Sequence, residues 1–229
     1  YVASMVARFG LTPASQVVEI ASNDGYMLQY FVERGIPVLG IEPSANTAAV
    51  AEAKGVPTVT EFFGVATATM LAARGDRADL LAAKNVMAHV PDINDFVAGI
   101  AILLKPDGVF TVEFPHLLTT IEGVQFDTIY HEHYTYLSLL AVHRIMRRHG
   151  LRVFDVERLT THGGSLRVFA CRDAAAHATT PHVAAVLKLE TDAGLDRPEG
   201  YAGFDARVRQ VRSDLLAFLH TAKTEGRTV

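Results

Sequence analysis

Short apolar runs alternate along this chain with stretches whose apolar positions recur at helical spacing. Val17 to Ile20 is the first run. It ends in Ala21-Ser22-Asn23-Asp24-Gly25, and a helical pattern follows through Met27, Leu28, Phe31 and Val32. Val38 to Glu42 predicts a second strand, and Pro43-Ser44 opens a helix reaching about Ala53. Pro57 to Thr60 predicts a brief third strand. Ala78 to Ala83 predicts a fourth, apolar without alternation, as expected of a strand covered on both faces. Pro91 and Asp92 start a helix through Phe96, Ile100 and Leu103. Pro106-Asp107-Gly108 reads as a turn, and Val109 to Phe114 as a fifth strand. Strands alternating with helices predict a parallel sheet with right-handed crossovers.

The pattern then changes. Leu139 to His149 reads as a helix stopped by Gly150. Leu151 to Arg158 and Leu166 to Cys171 read as two strands joined by Leu159 to Gly164, a hairpin-like pair after five β/α units. That predicts a Rossmann-like, seven-stranded, mostly parallel sheet with a terminal antiparallel hairpin, the layout of the class I methyltransferase sheet. Beyond Asp173 the chain is rich in Ala and His, and Pro181 to Glu190 and Tyr201 to Ala222 read as helices. The expected division is a methyltransferase domain over residues 1–173 and a helical extension over residues 174–229.

Composition narrows the class without adding chemistry. The chain has 229 residues, 49% hydrophobic and 20% charged, an ordinary globular balance. Its formal net charge is −4 and it has no long basic run, which argues against nucleic acid as the main partner. Cys171 is the only cysteine, so the chain can form no internal disulfide and no cysteine-based zinc site, which fits a reducing cytoplasm. No apolar run approaches the length of a membrane span, and no signal peptide opens the chain. The first residue is Tyr1 rather than Met, which suggests a fragment.

In an open parallel sheet, ligands sit beyond the carboxyl ends of the strands. The loop after the first strand is therefore the first candidate site, with Glu19, Ala21, Ser22, Asn23 and Gly25. Small residues there let backbone approach a ligand. Glu42, followed by Pro43, ends the second strand at the spacing where an acid bonds ribose hydroxyls. The G-x-G-x-x-G of a pyrophosphate site is absent, and Asp24 stands where phosphate would come. A cofactor without phosphate is expected, and S-adenosyl-L-methionine fits because acids can receive its amino group and sulfonium. Any other βαβ turn is the plain alternative. Asn85, after the fourth strand, is placed to meet the cofactor. His89 is placed to face an acceptor, with a helix-capping loop and a half-buried histidine as the alternative.

Tyr130, His131, Glu132, His133 and Tyr134 crowd proton donors and acceptors into adjacent positions. Each polar group would need a partner in a core, so this is poor core material. Histidine supplies a base near working pH with little tuning, and Glu132 is placed to orient an imidazole. Two alternatives stay open: a His-x-His-plus-carboxylate metal site, and solvated loop residues. No metal is the expectation. His116, after the fifth strand, is placed either to line the same pocket or to cap a helix. His162 and Ser165 flank Gly163-Gly164, where backbone donors suit an anion or simply close a hairpin. All three are candidate substrate contacts.

V-V-E-I-A-S-N-D-G, G-I-E-P-S, N-V-M-A-H-V-P-D, V-E-F-P-H, Y-H-E-H-Y-T-Y-L-S and H-G-G-S-L-R-V-F span Val17 to Phe169. With them the chain resembles the C-methyltransferases that modify nucleotide-linked deoxysugars, including C-3 methyltransferases of branched-sugar biosynthesis. The last two segments are the more specific; the first two are shared with methyltransferases generally. Ala21 stands where that family has glycine. The resemblance implies roles in substrate binding and catalysis for Tyr130, Glu132, His133 and His89. It also implies an N-terminal zinc module and a C-terminal nucleotide-binding-like domain, neither evident in this chain. The expected reaction is C-methylation next to the ketone of a nucleotide-linked 4-keto-deoxysugar. In it His133 removes the proton and Tyr130 donates to the enolate oxygen. The alternatives are an O- or N-methyltransferase on a small metabolite and a non-catalytic cofactor-binding module.

Overall fold

The computed structural model describes residues 1–228. Seven strands form one sheet in the order β3-β2-β1-β4-β5-β7-β6. They are β1 (Val17–Ile20), β2 (Val38–Ile41), β3 (Thr58–Val59), β4 (Ala78–Lys84), β5 (Leu104–Pro115), β6 (Leu151–Leu159) and β7 (Ser165–Arg172). β1 to β5 pair in parallel, while β7 runs antiparallel to both β5 and β6. The mostly parallel sheet with its antiparallel hairpin is the one the sequence predicts. Strand order reverses between β1 and β4, so the crevice beyond their carboxyl ends is the natural ligand site.

Side chains alternate across the sheet and feed two cores. Val18 and Ile20 face one, with Leu71 of α4 (Val65–Arg74), Phe96 and Ile100 of α5 (Ile93–Leu103) and Val142 of α7 (Leu139–Arg148). Val17 faces the other, with Met5 of α1 (Val2–Phe9), Phe31 of α2 (Gln29–Val32) and Ala51 of α3 (Ala45–Ala53). Ser138 caps α7, its hydroxyl accepting from the Ala141 N–H at 3.1 Å, and Asp92 caps α5. The chain also forms α6 (Leu117–Glu122), α8 (Pro181–Asp192) and α9 (Phe204–Thr224).

Several elements differ from the pattern. The helix expected from Met27 is regular only over the single turn of α2, with turns on either side that run out to Gly25 and Gly35, both left-handed. The turn at Pro106 is real but interrupts a strand: pairing passes from Ala78 with Leu104 to Leu80 with Val109, and residues 105–108 bulge out. Helices α1, α4 and α6 have no counterpart in the periodicity reading. For α4 the missed signal is Gly75, left-handed just past the last turn.

Candidate active site

The cofactor loop is shaped by backbone that L residues seldom adopt. Ala21, Asn23 and Gly25 have φ of 55°, 50° and 73°. Glu42 holds this loop in place: one carboxylate oxygen accepts the Asn23 N–H at 3.2 Å and the other the Ser44 N–H at 2.9 Å. Its remaining lone pairs are what a ribose would use. Asp24 points away to the surface and pairs with Lys54 at 2.5 Å, which holds its carboxyl below the usual range. The expected repulsion of phosphate by Asp24 is thus corrected: its charge is already answered.

Beside the loop lies a cavity of about 570 Å³, lined by Ile20, Ala21, Ile41 and Pro43 from the β1 and β2 ends. Glu61, Phe62 and Phe63 join from beyond β3, and Val86 and His89 from beyond β4. The Glu61-Phe62-Phe63 contribution was missed in the sequence. Among the described residues, buried polar atoms on three side chains around these strand ends lack any hydrogen-bond partner: both Glu19 oxygens, the Ser22 hydroxyl and the Asn85 Oδ1. Buried polar groups rarely stay unpaired, so the donor set fits a ligand rich in amino and hydroxyl groups. S-adenosylmethionine meets that description: Glu19 and Asn85 suit its amino group and Glu42 its ribose.

Glu19 is also perturbed. Burial pushes its carboxyl up to about 8; Lys84 opposes the shift and Glu113 adds to it. Glu19 belongs to a polar layer that the sequence did not reveal as a unit. Thr111 and Glu113 of β5 and Arg167 of β7 share its sheet face with Tyr1 and Lys84. The Tyr1 hydroxyl bonds Thr111 at 2.5 Å, and Arg167 bridges Glu113 and Glu157 at 2.8 and 2.7 Å. The only sequence signal was polar residues at every second position of an otherwise apolar strand.

The segment from Tyr130 to Tyr136 is irregular and packs onto the loop after β4. The His133 ring lies 4.7 Å from the His89 ring and 4.3 Å from the Tyr130 ring. His133 Nδ1 sits 2.8 Å from the Thr128 carbonyl, which only accepts, so Nδ1 carries the proton and Nε2 is the basic atom. Tyr130 donates its hydroxyl proton to that Nε2 at 3.2 Å. His89 is fixed the same way, Nδ1 donating to the Glu132 carbonyl at 3.1 Å. The expected orienting role of Glu132 toward His133 is therefore corrected. A backbone carbonyl does that work, and the Glu132 side chain is exposed. His131 is exposed too. Among the described residues no group of three or more His, Cys, Asp and Glu side chains gathers to hold a metal.

Of the two readings of His116, pocket lining is corrected and helix capping is the one nearer the structure. His116 is buried with Nε2 2.8 Å from Glu190 of α8, and Glu190 accepts the Leu139 and Leu140 N–H groups at 2.6 and 2.7 Å. This is a core network that caps α7. Ser165 is corrected likewise: its buried hydroxyl donates to the Thr161 carbonyl and closes the hairpin turn. His162 is exposed on that turn with φ of 52°. The Gln125 amide reaches the turn through the Gly163 carbonyl at 3.0 Å. A Cβ at Gly164 would come within 2.5 Å of Thr119, so only glycine fits there.

Comparison with known proteins follows the same lines. A methyltransferase-domain family model matches residues 1–156, and a model described as C-methyltransferase C-terminal domain matches residues 160–229. The C-methyltransferase NovU of Streptomyces niveus is 39% identical over 224 residues, 98% of this chain and 53% of that protein. A ubiquinone biosynthesis O-methyltransferase of Bartonella bacilliformis is 25% identical over 45% of this chain and 43% of its own. The chain thus spans about half the length of the relatives it matches. Magnesium protoporphyrin IX methyltransferase from Synechocystis PCC 6803, solved with bound S-adenosylhomocysteine, superposes with a TM-score of 0.58 at 17% identity, over 75% of this chain and 80% of that one. The 1,6-didemethyltoxoflavin-N1-methyltransferase of Burkholderia thailandensis superposes with a TM-score of 0.54 at 18% identity, over 74% and 75%. The fold is that of class I methyltransferases, and the methyltransferase family matched over residues 1–156 implies S-adenosylmethionine as the cofactor.

Proposed function

We propose, for a chain that belongs to the S-adenosylmethionine-dependent methyltransferase family, methylation of the carbon beside the ketone of a nucleotide-linked 4-keto-deoxysugar. One observation carries this most: a histidine whose tautomer is fixed with Nε2 basic, standing beside a tyrosine hydroxyl and joined through His89 to the cofactor cavity. The name of the Streptomyces niveus relative and the match to a C-methyltransferase C-terminal domain support it.

When bound, S-adenosylmethionine supplies an electrophilic methyl group. A hydroxyl or amine meets it with its own lone pair, but a carbon has none until a proton leaves. The ketone makes that proton removable by a base active near neutral pH, and histidine is such a base. His133 Nε2 takes the proton. Its single lone pair is free to do so once the Tyr130 hydroxyl turns from it to the ketone oxygen, where it goes on donating as that oxygen becomes the enolate. His89 lines the cofactor cavity with its ring 4.7 Å from that of His133, and holds the acceptor in line. The exposed Glu132 carboxylate is left for a sugar hydroxyl. His162, on the turn clasped by Gln125, is a further contact to the sugar or its nucleotide. A nucleotide-linked substrate places the reaction in the cytoplasm.

The test is His133→Asn in the full-length protein, with nucleotide-linked 4-ketosugars as substrates. Turnover should fall about 10²- to 10⁴-fold, the usual cost of losing a positioned base, while S-adenosylmethionine still binds. Exchange of the acidic carbon-bound proton with deuterated water, followed in the presence of S-adenosylhomocysteine, should fall with it. Exchange that survives in the variant overturns the role of His133. A methyl group found on oxygen or nitrogen overturns the reaction.

A further inference from the structure

We infer that Tyr134 is a specificity-determining residue of the cofactor site, its aromatic ring recognising the positive charge of the sulfonium. This rests on the C-methylation proposed above, which puts the reacting methyl group beside His89 and His133.

Two ties fix the residue. The Tyr134 N–H donates to the Ala88 carbonyl at 2.9 Å, and His89 Nδ1 returns to the Glu132 carbonyl at 3.1 Å. The segment carrying the base is thereby pinned to the loop after β4, and Tyr134 lines the cofactor cavity together with His89. The His89 ring lies 4.7 Å from that of His133. The stretch of wall formed by Tyr134 and His89 is therefore the one adjoining the base. A methyl group bound for a carbon deprotonated at His133 must be presented there, with its sulfonium.

The side chain has the properties the role needs. Tyr134 is 60% exposed, a large aromatic surface left open on the wall of a binding cavity. The face of an aromatic ring is electron-rich and attracts a cation, more so once a ligand excludes water. The carboxylates lining the cavity are otherwise engaged or distant. Asp92 caps α5 and Asp95 accepts the Val65 N–H, while Glu61 enters from beyond β3 at the far edge of the sheet. Methyl transfer converts the sulfonium to a neutral thioether. A ring that reads the charge therefore favours methyl donor over spent product and aids its release.

The experiment measures binding of S-adenosylmethionine and S-adenosylhomocysteine to the full-length protein by calorimetry. Tyr134→Leu should weaken S-adenosylmethionine about 5- to 30-fold and leave S-adenosylhomocysteine within about twofold. Tyr134→Phe keeps an electron-rich ring and should hold both ligands within about threefold. Equal weakening of both ligands by Tyr134→Leu means the ring only packs, and overturns the inference; so does no change in either. If Tyr134→Leu fails to fold, phenylalanines of increasing fluorination at position 134 keep the shape and drain the ring face of charge. S-adenosylmethionine affinity should then fall stepwise with fluorine content, and a flat series overturns the inference. Failure of the C-methylation itself is seen separately, in deuterium exchange at the substrate carbon, which none of these binding ratios uses.

Discussion

Glu19 sits in the middle of the sheet with both oxygens unpaired, and burial lifts its carboxyl from 4.5 to about 8. It is therefore largely protonated in the free protein at neutral pH. Between those two values the folded state holds a proton that the unfolded chain has lost. The Glu19 contribution to stability must fall as pH rises through that window, by an amount on the order of 5 kcal/mol. Urea unfolding at pH 5, 6.5 and 8 measures this, with Glu19→Gln as the neutral control. The wild type should lose stability across the series relative to the variant; parallel curves refute the assignment. The sequence marked Glu19 as a cofactor acid by its place at the end of a strand. It could not show the protonation state, which is set first by burial within the folded sheet and only then by Lys84, which opposes the shift, and Glu113, which adds to it.

At the scale of elements, the loops beyond β4 and β5 are held by partners distant in sequence. His116 and Glu190 are separated by the hairpin and much of α8, yet their pairing caps the N-terminus of α7 and fixes the end of the segment carrying His133. Glu190→Ala should destabilise the protein by about 2–4 kcal/mol, since it leaves two helix N–H groups and a buried imidazole unpaired. Denaturant titration checks this; a loss below about 0.5 kcal/mol would mean water or another group takes over. His116 looked like a pocket residue because it directly follows a strand at the ligand edge. Nothing near it in sequence announced the carboxylate that claims it. Residue types alone marked the Tyr130 to Tyr134 cluster as a candidate for proton transfer. Its internal wiring was not legible, because backbone carbonyls such as that of Thr128 leave no trace in side-chain composition.

At the scale of the molecule, the two cores close around the sheet while α9 stands largely outside them. Val211, Leu215, Leu216 and Phe218 lie on its exposed surface, Leu215 at 55% and Phe218 at 61%. Leu215→Lys with Phe218→Lys should change the stability of this chain by no more than about 0.5 kcal/mol, as for other surface substitutions. A thermal melt decides it, and a drop of several degrees would show that α9 packs back on the body. Among the described residues no helix is long and apolar enough to cross a membrane.

Periodicity by itself determined the succession of strands and helices, the closing hairpin and hence the loops that reach the ligand edge. The spacing from Glu19 to Glu42 pointed to the cofactor. These follow from the chain alone because alternation and helical repeat record which face of each element is buried, and short connections leave few topologies. Which polar group meets which was decided only by tertiary structure. Asp24 was neutralised by Lys54, His116 was claimed by Glu190, Ser165 was spent on its own turn, and Glu132 was displaced as orienter by the Thr128 carbonyl. Hydrogen bonds and charge pairs act over a few ångströms between residues far apart in sequence. Their partners exist only once the sheet has set the elements side by side.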